Sequence, residues 1–199
     1  MEFAKKIKPI LAVCFIGAPI LLLISSLFEG IVEDNLFKQG VFGQYGGILL
    51  TGVNLTLAII IGKRKPKLGL FSLIVGMIGG IASAAGYMVM YSFDIASSIQ
   101  DFNSRELMIQ LTESPDPKMF IGGIIGLFVP ISFILNGVGL LVSKVQPKAS
   151  PIFLILAGIG FFIGQGIFAV SVIISPIFMA FALIPIWIRI QKSDNWTEY

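Results

Sequence analysis

The side chains best equipped for directed chemistry within the long apolar runs of this chain are the amides of Gln44, Asn54, Asn136 and Gln165, with the phenols of Tyr87 and Tyr91. An amide donates and accepts hydrogen bonds but does not ionise near neutral pH, so it can hold an uncharged polar ligand or tie two helices together. It cannot serve as an acid, a base or a nucleophile. No Asp, Glu, Lys or Arg lies in the interior of any apolar run, although proton relays and ion-coupled transporters usually need such groups. The chain has no histidine, which removes every mechanism or metal site that requires an imidazole. Walker phosphate loops, H-E-x-x-H zinc motifs and G-x-S-x-G elbows are absent. These residues predict no catalytic site, no metal and no cofactor.

Asn54 and Asn136 are expected to lie deep within the apolar runs, with hydrogen bonding between helices as the leading role and lining of a polar pocket, with Gln165 and Gln44, as the second. Tyr87 and Tyr91 read as an aromatic anchor at a membrane interface, and so does Trp187.

The elements that position these residues follow from composition. The chain is 56% apolar and 13% charged, with a mean hydropathy of +0.93, more apolar surface than a soluble domain of 199 residues could cover. Apolar runs of about 20 residues match an α-helix crossing roughly 30 Å of hydrocarbon. The expected fold is an all-α, polytopic membrane domain over 1–199, with spans at about 9–28, 41–62, 68–93, 119–142, 151–168 and 171–188. The last two come from one uninterrupted apolar stretch, 151–188, divided by a tight uncharged turn near 168–171. A five-span alternative ends the fifth helix at Ser175 and Pro176. The first run is too long for a typical signal-peptide core and lacks a small-x-small cleavage site, so it reads as a retained span.

Charge sets the orientation. The cluster Lys63, Arg64, Lys65, Pro66 and Lys67 joins the second and third spans, and in the six-span arrangement only Lys38, Arg105 and Lys118 of the 14 lysines and arginines fall on the outer side. The positive-inside rule then places the N-terminus and the basic connectors in the cytoplasm, in what is expected to be the plasma membrane. With the cations confined to span ends, the net charge of +3 marks no nucleic-acid partner. Cys14 is the single cysteine and allows no internal disulfide. Residues 94–118 form the one long polar segment, in which Ile95, Ile99, Phe102 and Ile109 predict a short amphipathic helix on the outer surface.

Small residues recur at four-residue spacing along several runs, at Gly76, Gly80 and Ala84, at Gly122 and Gly126, and at Gly160 and Gly164. Such faces let helices approach closely, which is how membrane helices associate without a hydrophobic drive. Residues 41–93 and 119–175 also share an ordered set of landmarks, among them Pro66-Lys67 against Pro147-Lys148 and Gly76 against Gly158. That order is consistent with tandem duplication and predicts contact of the second span with the fourth and of the third with the fifth.

The resulting functional expectation is a non-enzymatic integral subunit or scaffold, packed through its glycine faces against the lipid bilayer, other membrane chains or itself. The alternatives are a binding or transport module for a small uncharged or lipid-like molecule, and a membrane enzyme using the outer-surface carboxylates Asp94, Asp101 and Glu106.

Overall fold

The structure, a computed structural model, describes residues 6–28, 35–100, 125–145, 147–164 and 169–193. They form six helices: α1 (Lys8–Leu27), α2 (Leu36–Arg64), α3 (Pro66–Gln100), α4 (Phe128–Val142), α5 (Ala149–Gly164) and α6 (Ala169–Lys192). Four helical segments, Lys8–Leu27, Leu36–Arg64, Pro66–Met90 and Ile173–Lys192, are long and apolar enough to cross a membrane, while α4 and α5 are shorter apolar helices. At 1.5 Å per residue α4 and α5 extend ~22 and ~24 Å.

Each helix packs on its neighbours in sequence, and α6 closes on α1, so the bundle is a ring with α2 also touching α4 inside it. The ring has an apolar centre that includes Phe15, Leu50, Leu57, Phe133, Leu154, Met179 and Leu183. Its outside is equally apolar: Ile10, Leu70, Phe71, Ile81, Phe162 and Phe181 are each more than half exposed. A soluble protein rarely tolerates such a continuous apolar surface, whereas lipid solvates it at no cost. Hydroxyls inside the bundle bond back to carbonyls, as from Ser26 to Leu22, Thr56 to Gly52 and Ser132 to Val129. Ser25 instead donates across to the carbonyl of Gln39 and joins the end of α1 to the start of α2.

Several boundaries differ from the hydropathy reading. α2 starts at Leu36, because the Asn35 side chain accepts the Lys38 backbone N–H and caps the helix. Lys38 therefore lies in the first turn, its ammonium 5.2 Å from the Phe28 ring centroid. α3 runs on to Gln100, so residues 94–100 continue the third helix and do not begin a separate amphipathic one; 101–124 lie outside the described residues. Ala169 and Val170 are already helical, so the turn expected near 168–171 does not include positions 169–171, and 165–168 lie outside the described residues. Ser175 and Pro176 lie inside α6, which passes through Pro176 and Pro185 and does not stop where five spans would require. Of the two pairings that duplication predicts, α2 meets α4, and α3 packs on α2 and α4, with α5 not among its main neighbours.

Ten of the eleven lysines and arginines among the described residues sit at one end of the ring. Two of them lock helix ends there. Lys8 Nζ donates to the carbonyls of Gln191 at 3.0 Å and Ser193 at 2.7 Å, placing a cation at the C-terminus of α6. Arg64 Nη1 donates to the carbonyls of Ser143 at 2.7 Å and Lys144 at 3.2 Å, just beyond α4. Lys8→Met is expected to lower stability by about 1 kcal/mol, the net worth of an ammonium on helix-terminal carbonyls. Unfolding in mixed micelles titrated with SDS measures it, and an unchanged midpoint would mean that Lys8 does not close the ring.

Candidate functional site

The polar centre of the bundle lies where α2, α3 and α4 meet. Asn54 on α2 and Asn136 on α4 are both fully buried. Asn136 Nδ2 donates to Asn54 Oδ1 at 2.9 Å, and Asn54 Nδ2 donates to the Gly76 carbonyl on α3 at 2.8 Å. One amide thus bridges two helices, and a second ties it to a third. A Cβ on Gly76 would stand 2.8 Å from the Asn54 Cβ, so the bond to α3 depends on glycine at that point. Asn136 Oδ1 and Ser72 Oγ, the latter one turn from Gly76, are buried without a hydrogen-bond partner.

Around this centre the α2–α3 seam is built from close approaches in an antiparallel order. A Cβ on Gly43 would enter the Tyr87 ring, one on Gly47 would stand 2.5 Å from the Ala84 backbone nitrogen, and one on Gly80 would collide with Thr51 Oγ1. Near the basic end a Cβ on Gly69 would collide with the Gly62 Cα and lie 2.9 Å from the Ala58 carbonyl oxygen. The α4–α5 pair is built similarly, with Gly137 against the Pro151 carbonyl and Gly158 against the Pro130 carbonyl, each 2.7 Å from where a Cβ would stand. These small faces are occupied by the chain's own helices.

The remaining candidates are dispersed. Gln44 is half-buried on α2, ten residues before Asn54, or ~15 Å along the axis, and does not join the amide pair. Gln165 and Gly122 lie outside the described residues. Among the described residues Gly126 has no heavy atom within 4 Å of its Cβ direction, Gly160 is half-buried on α5, and Gly164 is the last residue of that helix. Asp94 is half-buried near the far end of α3, while Asp101 and Glu106 fall outside the described residues. Among the described residues no three of His, Cys, Asp and Glu come together.

One aromatic assignment changes: Trp187 is 7% exposed within the core, so it fills space between helices, whereas Tyr87 is half-buried and packs over Gly43 across the seam. The sequence reading also missed Thr51, Gly43 and Gly47 as seam residues. The four-residue step from Gly43 to Gly47 was a signal for a small face on α2 opposite the one on α3.

Fold and composition together define a multi-pass α-helical integral membrane protein. Comparison with protein-family models, curated proteins and solved structures finds no match to this chain.

Proposed function

We propose that this chain is a non-enzymatic, six-span integral membrane protein with its N-terminus and basic connectors in the cytoplasm, acting as a subunit or scaffold of a membrane assembly. The observation that carries this reading is the amide pair at the bundle centre, whose Asn54 and Asn136 side chains bond to one another and to the Gly76 carbonyl. Groups arranged in this way stabilise a helix bundle, and they present no acid, base or nucleophile to a substrate. Among the described residues, Gly86 and Gly126 have nothing within 4 Å of their Cβ directions, which leaves them as small positions that a helix of another chain could meet.

The test is purification of the full chain in mild detergent, with mass spectrometry of co-purifying proteins and measurement of its assembly mass. Stoichiometric association with itself or with a defined membrane protein is expected. Gly86→Leu is expected to weaken that association without shifting the SDS unfolding midpoint, because among the described residues no atom lies within 4 Å of its Cβ direction. A monomer without partners would contradict the reading.

A further inference from the structure

On the lipid side of the α2–α3 hairpin, next to the basic connector, lies an open apolar groove of about 200 Å³ lined by Ala58, Ile59, Gly62, Gly69, Leu70 and Leu73. Its origin is the backbone contact at Gly69, which draws the helices together while neither Gly62 nor Gly69 supplies a side chain to fill the furrow between them. Ile59 and Leu70, 38% and 60% exposed, form its lips. Lys63 follows Ile59 by one helical turn and Lys67 precedes Leu70 by about one turn, so both stand beyond the same end of the groove, with Lys65 between them. All three lysines are exposed. Arg64 differs, since its guanidinium is held on the Ser143 and Lys144 carbonyls. Among the described residues no carboxylate lies at this end, since the sole one is Asp94, near the opposite end of α3.

We propose that this feature is a binding site for one anionic phospholipid, with the start of an acyl chain in the groove and the headgroup phosphate on Lys63, Lys65 and Lys67. Basic clusters at the end of a membrane helix attract anionic headgroups strongly within a Debye length, and an apolar furrow beside them turns that attraction into a located site. The site depends on the basic end lying at a bilayer surface, which topology labelling decides separately.

The Gly62 position allows a specific test. Among the described residues a Cβ there would meet only the Gly69 Cα, at 3.7 Å, so a larger side chain enters the groove without forcing the helices apart. The purified full chain is mixed with equal amounts of phosphatidylglycerol and phosphatidylcholine of identical acyl chains, and retained lipid is read by native mass spectrometry. One phosphatidylglycerol per chain is expected in clear preference. Replacing Lys63, Lys65 and Lys67 with glutamine is expected to weaken retention on the order of fivefold per lysine. Gly62→Leu is expected to abolish the preference at unchanged net charge, and soluble glycerophosphate to leave the bound lipid in place. Gly62→Ala, read beside the SDS unfolding midpoint of each variant, is expected to show a smaller loss in the same direction with no loss of stability. Equal retention of the two lipids by the unsubstituted chain would overturn the proposal. So would phosphatidylglycerol retention that survives both glycine substitutions or the triple glutamine variant.

Discussion

Gly69→Leu is expected to destabilise the bundle by roughly 3 kcal/mol, at the upper end of what overpacking a tight contact costs. The reason is that its Cβ meets backbone: the Gly62 Cα and nitrogen, and the Ala58 carbonyl oxygen at 2.9 Å. A side chain in the way can change rotamer, but a helix backbone moves only as a unit. The movement would fall where α2 and α3 are joined by Lys65 alone, with Pro66 opening the next helix, so the hairpin has little slack to absorb it. Gly62 supplies the control. Its Cβ direction is nearly open, and alanine is the better helix former by about 1 kcal/mol, so Gly62→Ala is expected to be neutral or mildly stabilising. SDS titration in mixed micelles compares them, and equal effects of alanine at 62 and 69 would contradict the close backbone approach.

The second large effect concerns the amide pair, whose two members are unequal. Asn54→Ala removes both of its hydrogen bonds and leaves the Asn136 amide buried with no partner, which is expected to cost about 2 kcal/mol. Asn136→Ala removes one bond and also a buried oxygen that had no partner, so its expected cost is smaller, about 1 kcal/mol. The double variant is expected to cost less than the two singles together, by on the order of 1 kcal/mol of coupling. Additive singles would show that Asn54 and Asn136 do not act as a pair. Equal singles would show that the bond to Gly76 contributes nothing.

Much of the bundle is written in hydropathy. The apolar runs, their basic connectors and the buried amides follow from the solvent being lipid, because an uncharged run of about 20 residues has few alternatives to a membrane helix. Asn54 and Asn136 stood out because amides are rare there, but their partnership spans 82 residues of sequence, and no local pattern specifies it. The ends of α2 and α3 were obscured for a different reason. Hydropathy marks where lipid ends, whereas capping marks where a helix ends: Asn35 starts α2 two residues before the exposed Phe37, and α3 carries its hydrogen bonds beyond Asp94. Trp187 resembled an anchor because position along a helix does not reveal which way a ring points, and nothing local to Tyr87 announces that it packs over Gly43 on another helix.

The basic end explains the bundle's direction as well as its closure. Lys8 on the carbonyls ending α6 and Arg64 on those following α4 bring the start of α1 together with the ends of α2, α4 and α6. An even number of crossings would produce this arrangement, as the six-span proposal requires. The most direct measurement is cysteine accessibility in intact cells, in a Cys14→Ala background, with single cysteines placed at Lys65, Lys148, Lys192 and Asn35 in turn. Labelling by a membrane-impermeant reagent is predicted at position 35 alone, with 65, 148 and 192 reacting only after the membrane is opened. External labelling at 192 would contradict the sixth crossing, and external labelling at 65 would reverse the whole bundle.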